Sequence, residues 1–302
     1  MRPGEGVLVV VDEPLAEEGS ALTAAAGEAG ARPTLELWTG ERPLEHAPPA
    51  VVEAGNEADV CFSLQAEPLG EEAGARFELL DAVTGRGGRM LYLGLVDGAL
   101  LRGELSAEPP DLAETARDLL TRLEGSRMVR IRGRAGTDLT LRVEGRPWLT
   151  DAFPLEAGGF GNYPGGEVFV APRREGADGL LVADLTVPYT VDGLVDEPVR
   201  LRFEGGRVRS IEGGRAAELL RELVADAGEG ADVIAELGIG FFPGLAPRGH
   251  VMLDEKAAGT AHVAIGRNTG LYGGDNEASI HVDCVFSEPR LEADGDAVEL
   301  PR

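Results

Sequence analysis

The sequence predicts an α/β chain in which an N-terminal domain on a parallel sheet precedes a strand-rich α+β domain. Two observations carry this expectation. Continuous β-branched runs alternate with helical spacing through the first third, and from Met128 onward short strands are divided by Gly, Pro and Asp turns.

The elements follow in order. Val7 to Asp12 is a β-branched run suited to a strand buried on both faces, Leu15 to Ala29 has helical apolar spacing and stops at Gly30, and Thr34 to Trp38 alternates as a strand. Val60 to Leu64 and Met90 to Leu95 are two further buried strands, with a helix expected between them over Glu71 to Val83. Asp111 to Leu123 is a second such helix with an Asp at its start. No GxGxxG or GxxxxGK follows the first strand, where DEPLAEEG stands instead, so a dinucleotide or P-loop site is not expected. Beyond residue 125, strands are expected at Arg130 to Arg134, Asp138 to Val143, Val168 to Ala171, Gly179 to Leu185, Val199 to Phe203 and Arg207 to Ile211. One helix, Arg215 to Ala227, interrupts them between Gly214 and Gly228. The expected domains are therefore 1–125 and 126–302.

Composition excludes several classes. With 302 residues, 43% of them hydrophobic, the chain can bury a sizeable core, which argues against disorder despite its acidity. A net charge of −25 would repel nucleic acid and anionic lipid. No run of about eighteen apolar residues suggests a membrane span, and Val7 to Val11 is too short for a signal sequence. A soluble cytoplasmic protein is expected. Cys61 and Cys284 have no paired spacing and fit two buried, small apolar side chains.

The chemistry-bearing residues gather in the second half. His46 lies in the proline-flanked loop LEHAPPA, whereas His250, His262 and His281 fall in the last quarter. In SIHVDCVF, His281 and Asp283 are two apart, so on a strand both side chains leave one face and can hold one ion. His262 in GTAHVAIG has the same alternation around it. Glu167 in NYPGGEVFVAP and Glu236 in ADVIAELGIG sit in apolar settings before glycine-rich bends, where a buried carboxylate needs a cation for company. Asp254, Glu255 and Lys256, the last the only lysine, precede the His262 segment and are expected beside the site.

NYPGGEVFVAP, ELGIG, DEKAAGTAHVAIGRN and SIHVD, in this order, resemble the aminopeptidase T family of metallopeptidases, the thermophilic leucyl aminopeptidases. The resemblance implies a homodimer of two-domain subunits, with the N-terminal domain serving as scaffold and subunit contact. It also implies two divalent ions, Zn²⁺, Co²⁺ or Mn²⁺, held by Glu167, Glu236, His262, His281 and Asp283. The implied reaction is hydrolysis of the N-terminal peptide bond by a hydroxide bound between the metals, with Glu236 as general base. Thr269 stands where the family places a tyrosine, and Tyr272 follows as the candidate for its role. The shorter His262 to His281 interval points to a divergent branch of the family. A related group resembles Fe(II) ring-cleaving dioxygenases acting on hydroxypyridines, for which His262, His281 and Asp283 would suffice. A degenerate, non-catalytic metal-binding member is the remaining alternative.

Overall fold

The structure, a computed structural model, describes all residues except 67, 69–71, 104, 106–109, 153–154 and 302. The chain forms two compact units, Met1–Pro109 with Phe153–Gly165, and Pro110–Ala152 with Gly166–Arg302. This division differs from the single boundary expected near residue 125. The amphipathic helix Ala113–Leu123 buries Ala116, Leu119 and Leu123 in the core of the second unit, and the chain returns to the first unit for one short strand.

In the first unit five strands run parallel in the spatial order Arg32–Leu37, Gly6–Val11, Val60–Gln65, Arg89–Gly94 and Phe160–Asn162. The first strand in the chain, GVLVVV, paired on both sides, is buried from Val7 to Val11, as its β-branched run required. The expected helix after it is present as Ala16–Glu28. The helix expected over Glu71 to Val83 is observed as Ala73–Thr84, and Glu71 lies outside the described residues. A helix at Pro49–Glu57 was not foreseen; its N-terminal proline lacks only an N–H that a first turn leaves unbonded anyway.

The second unit consists of two antiparallel sheets. The larger has seven strands in the spatial order Arg207–Glu212, Val199–Glu204, Ala177–Ala183, Asp138–Arg142, Met128–Arg132, Arg290–Ala293 and Asp296–Val298. Helix Arg215–Ala227 falls where the sequence placed it and buries Ala216, Ala217 and Leu220. The smaller sheet orders its five strands His281–Ser287, Thr260–Gly266, Ile234–Gly240, Glu167–Val170 and Leu149–Thr150.

The register of this smaller sheet explains its sequence. Glu167 lies opposite Gly240, Gly238 opposite His262, Ala264 opposite both Glu236 and Asp283, and Gly266 opposite His281. Opposed residues share a face, so Glu167, Glu236, His262, His281 and Asp283 all leave the same side. The alternate residues Val168, Val170, Leu237, Ile239, Ala261, Val263, Ile265, Val282, Cys284 and Phe286 form the other side, which is part of the apolar core.

Leu201 is fully buried in that core. Leu201→Ala is therefore expected to destabilise the protein by about 2–5 kcal/mol in guanidinium melts followed by circular dichroism. A loss near zero would place the core elsewhere.

Candidate metal centre

The five residues expected as ligands are brought together. Among the described residues three donor groups form, each with ligand atoms within 4.8 Å of one another: Glu167, Glu236 and His262; Glu236, His281 and Asp283; and Glu255, His262 and Asp283. Glu236 belongs to the first two and divides its oxygens between the imidazoles. Its Oε1 stands 3.5 Å from His262 Nε2, and its Oε2 stands 3.2 Å from His281 Nε2. Asp283 Oδ1 lies 3.1 Å from His281 Nε2 and 3.8 Å from His262 Nε2.

Small residues make this crowding possible. A Cβ on Gly238 would fall 2.1 Å from His262 Cε1, so glycine is required where the imidazole lies across the neighbouring strand. At Gly240 a Cβ would meet the backbone oxygens of Ala257 and Glu255 at 2.5 and 2.6 Å. The turn after helix Val251–Asp254 thus crosses directly over the strand, fixed by the Phe242 N–H donating to the Lys256 carbonyl at 2.8 Å. That crossing delivers Glu255 and Lys256 to the cluster. ELGIG is accordingly the closing stretch of the strand Ile234–Gly240, and its glycines serve close packing over the sheet.

Lys256 is fully buried and its Nζ bonds to Glu167 Oε1, with Glu255 Oε1 at 3.0 Å and Asp151 Oδ2 at 3.2 Å. Asp151 was not singled out from the sequence, because WLTDAF has no pattern around it. Its other oxygen accepts the backbone N–H groups of Gly166 and Glu167 at 2.7 and 3.0 Å, so it also fixes the start of the Glu167 strand. Asp254 is buried but faces away from the cluster, accepting from Thr186 and from the Arg248 and Gly249 amides. His250 precedes helix Val251–Asp254 and belongs to none of the three donor groups. His46 pairs with Glu78 on the surface, as its loop setting suggested.

The electrostatics call for cations. Asp151, Glu167, Glu236, Glu255 and Asp283 face one ammonium, so with every carboxylate ionised and both imidazoles neutral, the state that metal coordination requires, the cluster would carry a surplus of four negative charges. Burial resists ionisation of Glu167, Glu236, Glu255, Asp283 and Lys256, and the outcome is set by neighbours. Burial, reinforced by Asp151 and Glu255, leaves Glu167 well above the usual carboxylate range despite Lys256 and His262. Glu236 is resisted by burial too, but hydrogen bonds from His262 and His281 hold it below that range. Against the same burial, Glu236, Glu167 and Asp283 carry His262 up to about 10, while Tyr272, Asp283 and Glu236 raise His281 well above its ordinary value.

These donors fit divalent metal. Glu167 Oε2 is buried without a hydrogen bond and faces His262 Nε2 at 3.5 Å. His281 Nδ1 lies 2.6 Å from the Arg267 carbonyl, so its N–H is spent there and Nε2 presents a lone pair to two carboxylates. Lone pair facing lone pair is repulsive unless a proton or a metal ion lies between them. Tyr272 stacks on His281 with ring centroids 4.7 Å apart and meets Phe169 edge-on at 6.0 Å, while Thr269 only precedes the turn that carries it.

A histidine–carboxylate cluster on one face of an antiparallel sheet is a donor set that could hold divalent metal. The family model described as "NicX: 2,5-dihydroxypyridine 5,6-dioxygenase" matches residues 39–299, and the chain belongs to that family as a divergent, aminopeptidase T-like member. Aminopeptidase T of Thermus aquaticus is 32% identical over 187 residues, which are 53% of this chain and 43% of that enzyme. The match thus spans less than half the length of that relative. Two solved structures share the fold. The 2,5-dihydroxypyridine dioxygenase of Pseudomonas putida KT2440 superposes with a TM-score of 0.77 at 21% identity, over 98% of this chain and 90% of its own. AmpT of Thermus thermophilus does so with 0.71 at 22%, over 99% and 93%. Its relatives are therefore enzymes, both aminopeptidases and a dioxygenase. Among the described residues no helix is long and apolar enough to cross a membrane.

Gly238→Ala tests the packing argument. The added methyl must displace the His262 ring, so metal retained through gel filtration is expected to fall to about half or less while the circular dichroism spectrum stays native. Full metal content in the variant would show that the ring position does not matter.

Proposed function

We propose that this protein is a metal-dependent aminopeptidase that holds two divalent cations and cleaves the N-terminal peptide bond. The observation that carries this reading is the divided carboxylate of Glu236, one oxygen toward each histidine, which makes two donor triads out of one shared residue. The surplus of four negative charges supports it, since two divalent cations balance it and one does not. Glu167, Glu236 and His262 would hold one ion, and Glu236, His281 and Asp283 the other. Zinc, cobalt or manganese at such donors activates water near neutral pH and polarises a carbonyl oxygen.

The chain's own groups supply the rest. Glu236 is the proposed acceptor for the proton of the attacking water, the role that the family resemblance implies for it. Burial holds the Tyr272 phenol above its ordinary range, so it stays protonated as a hydrogen-bond donor for the oxyanion that develops at the scissile carbonyl. His281 and Asp283 are the more exposed edge of the cluster, the side open to a substrate, and the surrounding carboxylates favour a cationic amino terminus there.

A second reading rests on the family model and on the dioxygenase structure. In it a single Fe(II) takes His262, His281 and Asp283, and a hydroxypyridine ring is the substrate. Two assays on protein reconstituted with each metal separate the readings. Release of aniline from aminoacyl anilides with zinc, cobalt or manganese supports the peptidase. Oxygen uptake with 2,5-dihydroxypyridine and iron, without anilide turnover, contradicts it.

Tyr272→Phe is expected to lower kcat on aminoacyl anilides by about 10²-fold with metal content unchanged, a loss typical of one oxyanion donor. Unchanged kcat would remove Tyr272 from the reaction.

A further inference from the structure

The three donor groups are not equivalent toward Lys256. Its ammonium engages Glu167, which belongs to the group with Glu236 and His262, and Glu255, which belongs to the group with His262 and Asp283. The group formed by Glu236, His281 and Asp283 contains no carboxylate paired with Lys256. A fixed ammonium weakens a neighbouring cation position in two ways. It takes up oxygen lone pairs that would otherwise face the ion, and it repels the incoming charge across a few ångströms of protein. Lys256 cannot avoid either effect by swinging into water, because it is fully buried and its backbone is pinned over Gly240.

We propose that Lys256 makes the two cation positions unequal: the position of Glu236, His281 and Asp283 fills first and tightly, and the position of Glu167 and His262 fills second and exchanges. This rests on the two-cation reading above and assigns Lys256 as a positioning residue within it. Neutralising Asp151 alone would not require a buried lysine, since that carboxylate already accepts two backbone N–H groups. The consequence is an enzyme whose second ion follows the free metal concentration while the first stays bound.

Titration of the full-length, chelator-stripped protein with Co²⁺, read by calorimetry and visible absorption, tests this. Two steps are expected, with Kd values separated by about tenfold or more. His281→Ala should remove the tight step and His262→Ala the weak one. Lys256→Met should tighten the weak step about tenfold and shift the tight step by less than about threefold. If that variant does not fold, the wild-type protein and the two histidine variants still decide. Two equal steps, a reversed order of loss, or a weak step unmoved in folded Lys256→Met would overturn the proposal alone. A single equivalent with no second step would overturn the two-cation reading and the proposal with it.

Discussion

Mutual repulsion among five carboxylates gathered on one side of a five-stranded sheet is the constraint to which the second unit answers. Four of them, Asp151, Glu167, Glu236 and Glu255, are almost wholly buried, and water cannot screen them. The protein responds with one buried ammonium and two imidazoles drawn toward positive charge. The apolar opposite face of the same strands holds the sheet in place, since each strand alternates a donor with a core residue. A one-residue slip of register would put Val263 into the cluster and His262 into the core.

Glycine and alanine matter here as much as the charged groups. Gly238 admits the His262 ring and Gly240 admits the backbone that carries Glu255 and Lys256. The site therefore depends on residues with no chemistry of their own. The sheet face offers more donors than a single ion requires.

Much of this was legible in the sequence. The spacing of His281 and Asp283, and the alternation around His262, put their side chains on one face before any fold was known. Glu167 and Glu236 stood out as acids within apolar runs. What was not legible depended on contacts between distant segments. Asp151 reaches the cluster only through the pairing of Leu149–Thr150 with the Glu167 strand. Lys256 gains its three carboxylates because its turn crosses Gly240, and no local pattern encodes that crossing. The glycines of ELGIG, expected to form a bend, belong to a strand because a glycine pair signals close approach as readily as a turn. The chain also crosses three times between its two units, which a single composition boundary could not reveal.

In the proposed two-cation site Glu236 lies between the ions, with one histidine at each. Anomalous diffraction at the metal edge, from crystals grown with excess Co²⁺ or Zn²⁺, tests it most directly. Two peaks about 3.5–4 Å apart are expected, one beside His262 and one beside His281, with Glu236 between them. A single peak bound by both histidines and Asp283 at saturating metal would contradict it.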